Sequence, residues 1–129
     1  MTVELTMLFW AVVLAFVQVL VAVILCTKQA GLTELAGNRD TFMPEGIAGR
    51  ATRAHRNMLE NLPLFAVLVL IVHLAGLSSD ASVLGAQIFV IARLAAAIIY
   101  IIGIPWLRTA AFGISVVGLV LVAWPILTA

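Results

Sequence analysis

The sequence predicts an all-α membrane protein, a bundle of four transmembrane helices in up-down-up-down order. Three observations carry that expectation. The 129 residues are 64% hydrophobic and 10% charged, whereas soluble domains average about 25% charged residues. Long apolar runs recur along the whole length, each close to the ~20 residues a helix needs to cross a hydrocarbon core of roughly 30 Å. The pattern of short and long connections implies that neighbouring spans run antiparallel.

Helix 1 is expected at about Leu5 to Thr27. A secretory signal would carry positive charge where Glu4 stands, would be shorter and would end in a small-x-small cleavage site, so the run reads as a retained span. Cys26, the only cysteine, excludes an intrachain disulfide and suits a small apolar packing role. The segment Lys28 to Gly46 is polar, and Gly31, Gly37, Asn38, Asp40 and Pro44 mark it as loop and turn. Helix 2 follows at about Ile47 to Gly76. After the tight connection Ser78-Ser79-Asp80, helix 3 spans about Ala81 to Ile102. Gly103-Ile104-Pro105 breaks the chain, and helix 4 runs from about Trp106 to Leu127. Trp10, Trp106 and Trp124 lie toward helix ends and suit the aromatic belt.

Lys28, Arg39, Arg50, Arg53, Arg56 and Arg108 all fall at one end of the bundle, while only Glu4 and Asp80 lie near the other. The positive-inside rule then puts the long loop in the cytoplasm and both termini outside, as for a protein of the bacterial inner membrane. Arg39 and Arg50 are expected to enforce this topology and to meet lipid phosphates.

Helix 2 carries the most chemistry. Its uncharged part, Leu62 to Leu77, measures about 24 Å at 1.5 Å per residue, less than the hydrocarbon core. Polar residues must therefore enter the membrane zone, where they are tolerated only facing protein or a wet cavity. Arg53, Asn57 and Glu60, spaced i, i+4, i+7, share one stripe. Arg93 of helix 3 lies within about one turn of the level of Glu60, so a buried Glu60–Arg93 ion pair is expected. Tyr100 shares a face with Arg93, and Arg108 opens helix 4 at the same level. Arg53, Arg56, Asn57, Tyr100 and Arg108 can thus converge on one pocket in the inner leaflet. The spacing fits either a binding site or polar glue between helices.

His55 is rotated about 160° from Arg53 and reads as a lipid-interface or helix-contact residue. His73 reads as interfacial or packed, and Pro63 as a kink in helix 2. Two distant histidines and one cysteine make no metal site, and there is no phosphate-binding glycine loop, no serine nucleophile arrangement and no basic face for nucleic acid.

The segment Arg53 to Phe65, RAHRNMLENLPLF, closely resembles the helix 2 signature of the MAPEG family, the membrane-associated proteins in eicosanoid and glutathione metabolism. Ala92-Arg93-Leu94, Tyr100, Pro105 and Arg108-Thr109 resemble its helix 3 and helix 4 pattern, so the likeness covers essentially the whole chain. The resemblance implies a homotrimer that holds glutathione between subunits near the cytoplasmic face and presents it to a lipophilic small molecule from the membrane. On this basis Arg53, Asn57 and Glu60 match positions that bind glutathione or support its site, Arg56 matches a further contact in the prostaglandin E synthase branch, and Tyr100 matches a glutathione-contacting tyrosine. Arg108 looks like the arginine that stabilises the glutathione thiolate, with Thr109 in the place of a neighbouring serine. Arg93 matches a buried helix 3 arginine. Asn61 and Ala96 stand where the leukotriene-forming branch has tyrosines, so leukotriene synthesis is not implied.

The expected function is a glutathione-dependent membrane transferase or peroxidase. Two rivals come from other classes. A non-catalytic scaffold or lipid-binding protein would keep the fold without the chemistry. A small multidrug exporter would need a carboxylate in the middle of helix 1, where the chain has only Gln18.

Overall fold

Helices form wherever the apolar runs allow the backbone to satisfy its own hydrogen bonds, which is the condition for crossing a bilayer. The computed structural model describes Met1 to Ala129 as five helices with no strand: α1 (Val3–Ala30), a short α2 (Leu32–Ala36), α3 (Gly46–Leu74), α4 (Asp80–Ile102) and α5 (Pro105–Leu127). The four long helices are each long and apolar enough to span a membrane. The chain is therefore an integral membrane protein built as a four-helix bundle.

The segment expected to be all loop contains α2, capped by the arginine that follows it: Arg39 adopts a left-handed backbone, φ 60°, and its Nε donates to the Leu35 carbonyl at 2.6 Å. Cations commonly satisfy terminal helix carbonyls in this way. Arg50 acts similarly across helices, donating from Nε to the Ile101 carbonyl at the end of α4, 2.9 Å away. Both arginines thus have structural partners that the expectation of topology and lipid contact did not include. Gln29 holds the loop to the end of α1 through two bonds with the Glu45 backbone, at 3.0 and 2.9 Å.

The core lies between α1, α3, α4 and α5, where Ala11, Ala15, Met58, Phe65, Val69, Phe89 and Val122 are buried. Phe65 and Phe89 stack with centroids 4.1 Å apart. Beside this core, Gly85 and Gly118 let α4 and α5 touch backbone to backbone: a Cβ on Gly85 would come within 2.6 Å of the Gly118 carbonyl oxygen. Small residues at such crossings allow the close approach on which membrane helix packing depends. This contact fixes the position of α5, and with it Arg108. The helix α3 runs through Pro63 without interruption.

At the end of the bundle opposite the long loop, Glu4 is only 1% exposed. Its Oε1 accepts hydrogen bonds from Ser82 and, at 2.6 Å, from Ser78. The sequence had marked Glu4 only as a charge outside the membrane. It is instead a clasp joining α1 to the α3–α4 turn. Glu4→Leu takes the carboxylate acceptor from both hydroxyls, leaving Ser82 only the Ser79 carbonyl, and is expected to cost about 1–3 kcal/mol, read as a lower thermal midpoint in detergent, whereas Glu4→Gln, which keeps an acceptor oxygen, is expected to cost less. Equal stability of the leucine variant and the unaltered protein would remove the clasp.

Candidate functional site

The site is built on the loop end of α3. The buried stripe of this helix runs Ala51, Ala54, Met58, Asn61, Phe65, Val69 and Val72. At about 100° per residue, Asn57 lies at the edge of that stripe and Glu60 about 60° further round. Asn57 is accordingly half-buried, while Arg53, Arg56 and Glu60 are exposed on the single chain.

That rotation corrects one expectation. The Glu60–Arg93 ion pair is not formed within the chain: Arg93 is 2% exposed, its Nη2 donates to Asn57 Oδ1, and its Nε and Nη1 have no partner. Arg93 and Glu60 are at nearby levels, but Asn57, at the edge of the buried stripe, reaches Arg93, and Glu60, further round, stays exposed. The neutral amide is held in turn by its neighbour, because Asn61 Nδ2 donates to the Asn57 carbonyl at 2.8 Å. Sequence reasoning had noted Asn61 only as a missing tyrosine; its place on the buried stripe, four residues from Asn57, was the signal for this supporting role.

Two adjoining hollows gather the other residues. One, of about 220 Å³, is lined by Arg53, Arg56, Asn57, Glu60 and Tyr100. The second, of about 190 Å³, is lined by Asn57, Ala96, Tyr100, Arg108, Thr109 and Phe112. Asn57 and Tyr100 form the wall common to both. The Arg108 guanidinium sits over the Tyr100 ring, 4.8 Å from its centroid, a cation–π contact that orients the charge without neutralising it. Arg108 lies in the first turn of α5, where Pro105 starts the helix, so the positive end of the helix dipole adds to its charge. Thr109 donates its hydroxyl to the Pro105 carbonyl at 3.2 Å, leaving the oxygen free to accept.

The combined surface offers three guanidinium groups, one carboxylate, one amide and one phenol. Such a set suits a small zwitterion richer in carboxylate than in ammonium groups, because arginine forks match carboxylates. No group of three or more histidine, cysteine, aspartate or glutamate side chains is placed to hold a metal ion. His55 falls on the other side of α3 from this surface and borders a separate hollow.

Comparison with known proteins bears on the whole chain. The model of the MAPEG family matches residues 7–128. No curated protein and no solved structure shows a significant match.

Proposed function

The chain belongs to the MAPEG family, and from that premise we propose that it is a glutathione-dependent membrane transferase or peroxidase. The observation that carries this reading is the match of charges: glutathione has two carboxylates, one ammonium and one thiol, and the paired hollows present Arg53 and Arg56, Glu60, and Arg108. Arg53 and Arg56 bind the carboxylates, Glu60 accepts from the ammonium, and Asn57 and Tyr100 donate to the peptide backbone. The thiol then falls in the second hollow, beside Arg108.

A free thiol has a pKa near 8.5, and a neighbouring cation at a helix N-terminus favours the thiolate. Arg108 thus supplies a nucleophile near neutral pH. With a carbon electrophile the sulfur forms a C–S bond and the leaving group departs with its electron pair. With a hydroperoxide the sulfur takes the terminal oxygen, giving glutathione sulfenic acid and an alkoxide that is protonated to the alcohol; a second glutathione then yields the disulfide and water.

Assembly completes the site in this reading. Arg53, Arg56 and Glu60 are exposed on one chain at a depth where lipid contact is costly, so a neighbouring subunit of a homotrimer covers them. The arginine-rich loop end faces the cytoplasm, and the lipophilic substrate arrives from the bilayer.

The exporter reading loses its requirement in the structure: α1 carries Gln18 at mid-span, buried, and its only carboxylate is Glu4 in the first turn. The scaffold reading is separated from the enzyme by product analysis. Purified protein with glutathione and either a nitro-activated aryl halide or cumene hydroperoxide is expected to give conjugate or disulfide above the uncatalysed rate. Background rates with both, in a protein shown to bind glutathione, would leave only a binding role.

A further inference from the structure

We propose that a second site, on the opposite side of α3, binds an anionic amphiphile: a phosphate or carboxylate head group carrying an alkyl chain. The hollow measures about 290 Å³ and lies between the loop-end halves of α1 and α3, under the loop that holds α2. Its lining combines apolar and cationic residues. Val19, Ala22 and Val23 of α1, with Leu35 and Phe42 from the covering segment, make an apolar wall. Val23 is 45% exposed, so this wall continues onto the bilayer-facing surface of α1 and gives an alkyl chain an unbroken path into the membrane.

The cationic residues come from the covering segment and from α3. Arg39 and Arg56 line the hollow, and no carboxylate does. Arg39 is brought there by its left-handed backbone and by the bond from its Nε to the Leu35 carbonyl. That bond uses one donor and leaves the two terminal nitrogens available. A non-glycine residue at positive φ is uncommon and costs energy, and here the conformation places a guanidinium at the rim of the hollow. His55 lines the same space, and its Nδ1 is buried with no hydrogen-bond partner. Thr52 and Arg56, at i−3 and i+1 from it, complete the polar side.

Two arginines without a facing carboxylate favour an anion, and guanidinium groups are matched to phosphate and carboxylate oxygens. A free inorganic anion would use only half of the hollow. An apolar wall that opens to the bilayer and a cationic rim at the membrane interface together select a head group attached to a chain. The two hollows meet at Arg56, which borders both, whereas Arg39 borders only this one and therefore carries the test.

The experiment is calorimetric titration of the detergent-purified full chain, in neutral maltoside micelles, with three probes: dodecyl phosphate, dodecylphosphocholine and inorganic phosphate. Dodecyl phosphate is expected to bind saturably, with the other two at least about tenfold weaker. Arg39→Asn keeps a residue that tolerates positive φ and removes the charge. It is expected to weaken dodecyl phosphate about tenfold, and Arg39→Lys to recover most of that loss. Equal affinity for dodecylphosphocholine would show that the hollow does not select a net anionic head group, and equal affinity for inorganic phosphate would make it an anion site without a chain. Either result overturns the proposal, as does unchanged dodecyl phosphate affinity in Arg39→Asn. The probe comparison on the unaltered chain decides the matter even if the variant fails to fold.

Discussion

Arg108→Ala is expected to lower glutathione-dependent turnover by about 10²–10³-fold, the range found when a single preorganised group that stabilises developing or standing negative charge is removed. Arg108 is the one cation in the hollow it shares with Tyr100 and Thr109, it is aimed by the ring beneath it, and it stands in the first turn of α5, where the dipole adds to its charge. Its removal takes away the stack on Tyr100 but leaves the close approach of Gly85 to Gly118, further along α4 and α5, in place. Folding and oligomeric state are therefore expected to be kept while the thiolate is lost. Arg108→Lys restores charge without the planar stack on Tyr100 and is expected to recover only part of the activity. Steady-state rates with a hydrophobic electrophile, beside a size profile of each variant, check this. Full activity in Arg108→Ala would assign thiolate stabilisation to another residue.

Asn57→Leu is expected to be the most damaging change to stability, at about 3 kcal/mol, the upper end for loss of a hydrogen bond to a charged group. Asn57 Oδ1 is the only acceptor that Arg93 has within the chain, and Arg93 is buried. Leucine would leave a cation at membrane depth with no partner, whereas Arg93→Met replaces the charge by an apolar chain of similar length and is expected to cost less. The double variant Asn57→Leu with Arg93→Met is accordingly expected to be more stable than Asn57→Leu alone. Thermal unfolding of the four proteins in one detergent measures the coupling. Additive losses would show that the Arg93–Asn57 bond is not the unit that matters.

The comparison of sequence with structure is most instructive at these two places. The four spans were legible because each needs some twenty apolar residues, and no other arrangement of such runs satisfies the backbone in lipid. The helix 2 stripe was legible because i, i+4, i+7 spacing fixes a face whatever the tertiary structure. Which residue on that stripe meets Arg93 was not legible, since rise along the helix gave the right level but a 60° rotation decides between Asn57 and Glu60. The packing role of Glu4 was not legible for a related reason: a charge near a helix end looks only like a marker of topology until the α3–α4 turn brings Ser78 and Ser82 onto it. The C-terminal caps made by Arg39 and Arg50 depend likewise on tertiary placement, Arg50 reaching a carbonyl fifty-one positions away. The approach of Gly85 to Gly118 leaves no sequence signal beyond two glycines in apolar runs.

The central claim, that the paired hollows bind glutathione and Arg108 ionises it, is tested most directly by titrating detergent-purified protein with glutathione near neutral pH and following the ultraviolet absorbance of the thiolate. A saturable thiolate signal that disappears in Arg108→Ala is the predicted result. Absence of any signal in the unaltered, correctly assembled protein would contradict the account and leave a MAPEG-fold membrane protein with another purpose.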